Sequence, residues 1–415
     1  MTRVAYVSTD PGVPVFGRKG ASVHVQAVVR ELVRRGAEVH LVAARVGGDL
    51  PRGLDGVIVH ELPRITGEPG PERESSARDS ALAAADVLAA LHEESPLDLV
   101  LERYSLWSDV AMTWAADHDV PSVLEVNAPL VDEQAQHRVL ADRPGAEAIA
   151  REAFAAAGSV IAVSEPVARW VRERVQGRDH VHVIANGVDT EFIRPGGFEA
   201  RPQAASHLNP REGEAAPGRT GFTVGFVGTL KPWHGVEVLL EAFARLARSD
   251  TDTRLRVVGD GPQRQALTEQ ALRLGIRDQV DLVGAVAPER MPAELAAMDV
   301  AVAPYPELPD FYFSPLKIYE YLAAGLPVVA SAIGPCADIL DGGDLGVLVT
   351  PGDPTELAAA LAGLRREALL RAELGRAGRE AAVSRYDWSL VVSRILATVP
   401  ARTPCLADDL LGRTA

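Results

Sequence analysis

Residues 310–331 read DFYFSPLKIYEYLAAGLPVVAS. Ser314 suits a helix N-cap and Pro315 the first helical position, so the spacing predicts a helix over 315–324. Gly325 and Pro327 stop it, and a short apolar strand follows at 327–331. A helix running straight into a continuously apolar strand is the repeating unit of a parallel sheet covered on both faces. The same alternation extends on both sides of this stretch. Strands are expected at 223–228, 254–258, 280–283, 299–303 and 346–349. Helices are expected at 235–248, 261–274 and 289–297, with a helical stretch at 354–383. Residues 194–221, RPGGFEARPQAASHLNPREGEAAPGRTG, carry no apolar period and read as a linker. Before them come strands at 3–8, 38–43, 57–62, 98–102, 121–126, 159–163 and 181–184. Helical patterns lie near 22–35, 74–94, 105–118, 132–157 and 165–175. The expected fold is α/β, with two Rossmann-like doubly wound domains facing across a cleft, at 1–193 and 222–385. A helix over 386–400 is expected to pack back on the first domain, with a tail at 401–415. Ligands of such sheets bind outside the carboxyl ends of the strands.

The 415 residues exceed one ordinary domain and suit two. A net charge of −15 argues against general nucleic-acid or anionic-membrane binding over the whole surface, and no nucleic-acid partner is expected. No apolar run reaches about 18 residues, which argues against a membrane span. The start, MTRVAYVST, passes directly into a strand pattern, so no signal peptide is expected. Cys336 and Cys405 are the two cysteines. They exclude a disulfide scaffold or a cysteine-based zinc site and suit a reducing cytoplasm. Of the 42 basic residues only three are lysine: Lys19, Lys231 and Lys317. A GC-rich genome explains the bias. The three that remain are candidate anion ligands, where a compact point charge is needed.

Several loops could carry chemistry. The first strand leads into DPGVPVFGRKGA, 10–21, where Gly12, Gly17 and Gly20 precede a helix start that could receive a phosphate. It is not GxGxxG, so no nicotinamide cofactor is indicated. The second domain opens with VGFVGTLKPWHG, 224–235. Lys231 stands beyond the strand end at Gly228, with Trp233 able to cover it, which places a cation for a diphosphate. In VVGDGP, 257–262, Gly259 and Gly261 allow close approach by a ligand, and Asp260 reads as a turn residue. In VDLVGAV, 280–286, Ala285 and Val286 offer backbone groups to a nucleobase edge. Arg290 either stacks on the base or lies on the helix surface. The helix start at Ser314, Leu316 and Lys317 is a compact anion site. Glu320, one turn on, suits two ribose hydroxyls.

Together these segments, with AVSEPV at 162–167 and NGVDTEFIRP at 186–195, resemble the retaining GT-B glycosyltransferases of family four over nearly the whole chain. The resemblance implies a nucleotide-sugar donor held by the C-terminal domain and an acceptor held by the N-terminal domain. It assigns Glu320 to the ribose, Lys231 and the Ser314–Lys317 turn to the diphosphate, and Gly20 to the donor from the opposite domain. Lysines and helix ends would neutralise the leaving diphosphate, so no metal and no cofactor are expected. The chain departs from the pattern at several positions. Tyr312 stands where the first of two glutamates is usual, with Asp310 a candidate substitute. Thr229 stands for an arginine, His234 for a lysine and Asn127, in LEVNAPL, for a histidine.

The reaction implied is retaining transfer, with Lys231 and Lys317 stabilising charge on the departing diphosphate. Arg103, Asn127 and Asp310 are candidates for holding the acceptor or sugar. Glu133 and His24 read first as structural. A sugar-nucleotide epimerase of the same fold, or a non-catalytic nucleotide-sugar-binding accessory protein, stand as alternatives. The acceptor class stays open between a sugar, a lipid-linked and a small-molecule compound, and the nucleotide between UDP and GDP. The amphipathic stretch 25–36 either touches a membrane or covers a sheet; the latter is the commoner use.

Overall fold

The strands pair in parallel throughout the computed structural model, which describes residues 1–175, 177, 179–196, 221–248 and 251–399. Most of the expected linker, the tail at 401–415 and Cys405 lie outside the described residues. The chain divides into two units. The first holds Met1–Asn186, Tyr312–Ser314 and the helix Trp388–Ala397, and the second Gly187–Phe311 and Pro315–Asp387.

The first unit is a seven-stranded sheet of β1 (Arg3–Ser8), β2 (Glu38–Ala43), β3 (Ile58–Glu61), β4 (Leu99–Arg103), β5 (Ser122–Val126), β6 (Ser159–Ala162) and β7 (Val181–Val183). Its order is β3-β2-β1-β4-β5-β6-β7. All residues of β1 and β5 are buried, as a sheet covered on both faces demands. One face packs Leu88, Met112, Ala150 and Phe154 from three helices. The other packs Val25, Val28 and Leu32 of the helix Gly20–Arg34 and Trp388, Val392 and Ile395 of the helix Trp388–Ala397. Arg35 ties these two helices by donating to the Ser389 carbonyl and the Ser393 hydroxyl, at 2.6 and 2.8 Å.

The second unit has six strands: β8 (Phe222–Val227), β9 (Thr253–Val258), β10 (Val280–Gly284), β11 (Val300–Ala303), β12 (Val328–Ser331) and β13 (Val347–Val349). Their order is β10-β9-β8-β11-β12-β13. The order reverses between β8 and β11 here, and between β1 and β4 in the first unit. Outside such reversals the flanking helices diverge and leave a crevice at the carboxyl edge.

Four expectations need correction. The stretch 132–157 is two helices, Leu130–His137 and Arg143–Ala156, because Asp142 caps the second through the Gly145 N–H at 2.9 Å. The stretch 354–383 likewise splits at Glu367. The helix expected from 105 begins only at Val110, since Ser105–Ser108 forms a turn whose Ser108 hydroxyl donates to Glu102 at 2.6 Å. The first unit ends at Asn186 rather than 193. The Val188 N–H bonds the Tyr386 carbonyl at 2.8 Å and the Thr190 hydroxyl bonds Asp387 at 2.6 Å, so this segment belongs with the second unit. No helix among the described residues is long and apolar enough to cross a membrane.

Candidate functional site

The second unit's reversal point is built by the end of β8 and the helix Leu316–Ala323 that follows β11. Tyr321 locks them together. Its hydroxyl accepts from the Val227 N–H at 2.7 Å and donates to the Val302 carbonyl. That fixes the first turn of the helix, and Lys317 with it, beside the end of β8.

Lys317 is only 8% exposed, and its Nζ has no hydrogen-bond partner. The ammonium lies 4.3 Å from the Phe226 ring centroid and 5.2 Å from that of Tyr305. Ring faces attract a cation but do not replace hydrogen bonds. Burial pushes its pKa down to about 7, although Glu320 and Cys336 pull the other way. Glu320, half-buried one turn on, is pushed up to about 7 by burial, with Lys317 opposing. Each group makes the other tolerable, but the lysine's N–H donors remain unused. Gly228, with φ +148°, closes the arrangement: a Cβ there would stand 2.9 Å from the Lys317 Nζ. A buried cation with idle donors, next to a helix N-terminus, is built to receive an anion.

The loop after β8 adds two groups. Lys231 is half-buried with its Nζ 5.4 Å from the Trp233 ring, so the tryptophan flanks it as the sequence suggested. His234 bonds the Thr229 carbonyl through Nδ1. Burial, then Lys317 and Lys231, push its pKa down to about 3, so the ring is neutral. With Nδ1 donating to a carbonyl, Nε2 is left as an acceptor. Thr229 itself is exposed.

The glycines serve the protein's own backbone. A Cβ on Gly259 would meet the Gly228 carbonyl oxygen at 1.9 Å, and one on Gly261 the Leu230 carbonyl oxygen at 2.5 Å. They bring the turn after β9 against the loop after β8, where a ligand had been expected to approach. Asp260 is a turn residue, accepting from the Gly261 N–H at 2.7 Å. Ala285 is exposed and Val286 half-buried, beyond the end of the edge strand β10. Arg290 pairs with Glu294 at 3.2 Å, the surface alternative of the two expected.

Ser314 does not cap the helix. The helix starts at Leu316 with Pro315 at the cap position and no side-chain cap bond. Ser314 instead accepts from Asn186, by its hydroxyl from the backbone N–H at 3.5 Å and by its carbonyl from Nδ2 at 3.1 Å. Asp310 is exposed in a turn. The carboxylate that meets Tyr312 is Glu133, which accepts from the tyrosine hydroxyl at 2.8 Å.

In the first unit, Gly20 is the exposed first residue of its helix. His24 is fully engaged, with Glu125 and Asn186 both at 2.9 Å. The Tyr6 hydroxyl donates to the other Glu125 oxygen at 2.8 Å. Arg103 and Asn127 are half-buried at the ends of β4 and β5. The sequence reading passed over Glu125, Glu102, Tyr6 and Tyr321. A glutamate inside an otherwise apolar strand, as in LVLER and SVLEV, was the available signal. Among the described residues no group of three or more His, Cys, Asp or Glu is placed to hold a metal ion.

Comparison with known proteins matches residues 18–192 to "Glycosyltransferase Family 4" and residues 221–367 to "Glycosyl transferases group 1". A phosphatidyl-myo-inositol mannosyltransferase of Mycobacterium leprae is 35% identical over 237 residues, a match spanning 57% of this chain and 57% of that one. A D-inositol 3-phosphate glycosyltransferase of Geodermatophilus obscurus is 30% identical over 402 residues, 92% of this chain and 84% of that one. Among solved structures, Anabaena HepE in complex with UDP-glucose superposes with a TM-score of 0.66 at 20% identity, covering 96% of this chain and 99% of that one.

Proposed function

Given that the chain belongs to glycosyltransferase family 4 and has the GT-B fold, we propose that it moves a sugar, with retention, from a nucleoside diphosphate sugar to a hydroxyl of an inositol-type or related polyol. UDP is the first nucleotide to test, because the HepE structure holds UDP-glucose. The acceptor class follows the two inositol-directed relatives.

One observation carries the donor reading: the buried, unpartnered Lys317 ammonium at the first turn of a helix, against a glycine that leaves room beside it. A diphosphate supplies the missing acceptors and the counter-charge. Glu320 accepts from ribose hydroxyls one turn away. Lys231 and His234 border the same loop, the first as a second cation and the second as an acceptor for a sugar hydroxyl. In the reaction the bond between the anomeric carbon and the diphosphate oxygen breaks, and its electron pair stays on the diphosphate. The acceptor oxygen bonds the anomeric carbon on the face the diphosphate leaves, and its proton passes to a phosphate oxygen. Charge on the leaving group grows toward the transition state, so donors already fixed there act most strongly at that point. Removing one such donor typically costs roughly 10²–10³ in rate.

The test is a thermal-shift panel with UDP, GDP, ADP and dTDP on the wild type and on Lys317→Ala. A ligand at about 100 times its dissociation constant stabilises by roughly 2.7 kcal/mol. One diphosphate should stabilise the wild type and not the variant. A wild type that responds to none of the four would sink the donor reading. Turnover with the responding nucleotide's sugars and myo-inositol then separates a transferase from a binding protein.

A further inference from the structure

The donor reading leaves unused a histidine pair at the β3 edge of the first unit's sheet. His40 lies on β2 and His60 on β3, where the register partner of His60 is Val42. Residues two apart on a strand share a face, so the two imidazoles stand on the same side, diagonal to each other. On that side Arg3 donates to the Leu91 carbonyl at the end of the helix Pro71–Glu94. His40 Nδ1 stands 3.1 Å from His60 Nε2, with the ring centroids 5.3 Å apart and the planes tilted by 31°. His40 is buried, whereas His60 is half-buried and reaches solvent.

The far side of His40 decides what it presents to His60. Its Nε2 lies 2.9 Å from Glu38 Oε1 and 3.2 Å from Arg3 Nη2. Hydrogen bonds from Arg3 and then His40 hold the Glu38 carboxyl below its usual range, so it can only accept. Arg3 has other acceptors in Glu38 Oε1, at 2.7 Å, and the Leu91 carbonyl, at 2.9 Å. The His40 proton therefore sits on Nε2, and Nδ1 turns a bare lone pair toward His60. A carboxylate behind one ring nitrogen that fixes the lone pair of the other is the support a metal-ligating histidine uses. Burial and then His40 push the His60 pKa down, against the pull of Glu94, so that ring is neutral too. With its proton on Nε2 it hydrogen-bonds His40. With its proton on Nδ1 it turns a second lone pair to the same point. For metal–imidazole bonds of about 2.0–2.1 Å, nitrogens 3.1 Å apart subtend roughly 95–102° at the ion. That angle lies between the square-planar and tetrahedral values of the late first-row ions. The surroundings favour a cation: Glu94 is exposed beside the pair at the carbonyl end of its helix, and the charge of Arg3 is answered by Glu38.

We propose that His40 Nδ1 and His60 Nε2 chelate a late first-row divalent metal ion, Zn²⁺ or Cu²⁺, with water completing its shell. Two protein ligands converge here, and no larger group of His, Cys, Asp or Glu does so among the described residues. The ion displaces the proton shared by the two rings, which moves to His60 Nδ1. Bound there, it straps the short edge strand β3 to β2. The site is separate from the donor site and independent of that reading.

The test is titration of the metal-free full chain with CuCl₂ and ZnCl₂, followed by calorimetry and thermal melting and, for copper, by electron paramagnetic resonance. Wild type, His60→Ala and His40→Gln are compared. The wild type should take up one ion per chain saturably, hold Cu²⁺ more tightly than Zn²⁺, show two nitrogen ligands to copper and melt higher with metal than without. Each variant should bind about tenfold more weakly or worse, since losing a ligand costs at least what losing its outer partner does, and should lose the rise in melting. The response to UDP should be the same in all three. His40 is buried, so where His40→Gln unfolds the half-exposed His60→Ala decides. The proposal is overturned if the wild type shows no saturable binding, if His60→Ala binds as tightly as wild type, or if copper has a single nitrogen ligand.

Discussion

Replacing Lys317 by methionine should raise the protein's stability while abolishing its response to nucleotide. The lysine is buried without a hydrogen-bond partner, and its pKa falls from an ordinary 10.5 to about 7. A fall of that size corresponds to roughly 5 kcal/mol of preference for the uncharged amine. At pH 7 the unfolded chain keeps the amine protonated in water and the folded chain does not welcome it, so folding bears most of that cost. Methionine has a similar length, no charge and a favourable contact with the Phe226 and Tyr305 rings. Glu320, released from its partner, takes up a proton and stays neutral, which returns part of the gain. A net stabilisation of about 2 kcal/mol follows, or roughly 4–8 °C for a unit of this size. Scanning calorimetry at pH 7, with and without saturating UDP, measures both effects. The variant should melt higher than wild type without nucleotide and show no further rise with it. A variant that melts lower, or that keeps the UDP response, refutes the argument that this lysine is held against its own stability for an anion.

Nucleotide affinity should fall as pH rises above about 7. Binding an anion needs the Lys317 ammonium, and above that pH its proton must be taken up on binding. The fall is less than tenfold per pH unit because Glu320 ionises over the same range and favours the ammonium; His234, neutral throughout, does not contribute. Titration from pH 6.5 to 9 with flat or rising affinity would contradict it. Gly235→Ala should destabilise the second unit by about 3 kcal/mol or more, read as a lower urea midpoint. Its φ is +66° and the new Cβ would stand 1.7 Å from the Pro304 carbonyl oxygen. Glu102→Gln should flatten the loss of stability as pH rises from about 4.5 to about 8. Burial and Asp109 push Glu102 up to about 8 against the Ser108 hydrogen bond. The folded chain thus holds a proton that the unfolded chain releases above about 4.5. Wild-type stability falls by up to roughly 1.4 kcal/mol per pH unit between those values. Equal slopes for wild type and variant between pH 5 and 8 would show that Glu102 is not the group responsible.

The sequence by itself determined the elements and the family. Runs such as RVAYVS and FTVGFV are continuously apolar, and only a parallel sheet covered on both faces makes use of that. Gly325, Pro327 and the other breakers marked the turns because their backbone constraints act locally. The scarcity of lysine marked Lys317, with Lys19 and Lys231, as a candidate anion ligand. What the sequence could not give is whatever depends on neighbours distant along the chain. Ser314 has the composition of a cap but is taken by Asn186, 128 residues away. Gly259 has the look of a ligand-facing glycine but is needed for the Gly228 backbone. Asp310 was the near carboxylate in sequence, whereas Glu133 is the one that reaches Tyr312. Burial, which turns Lys317 from a surface charge into an idle cation, is a property of the packed sheet. Pair energies between such groups depend on desolvation and distance, and only the tertiary structure sets either.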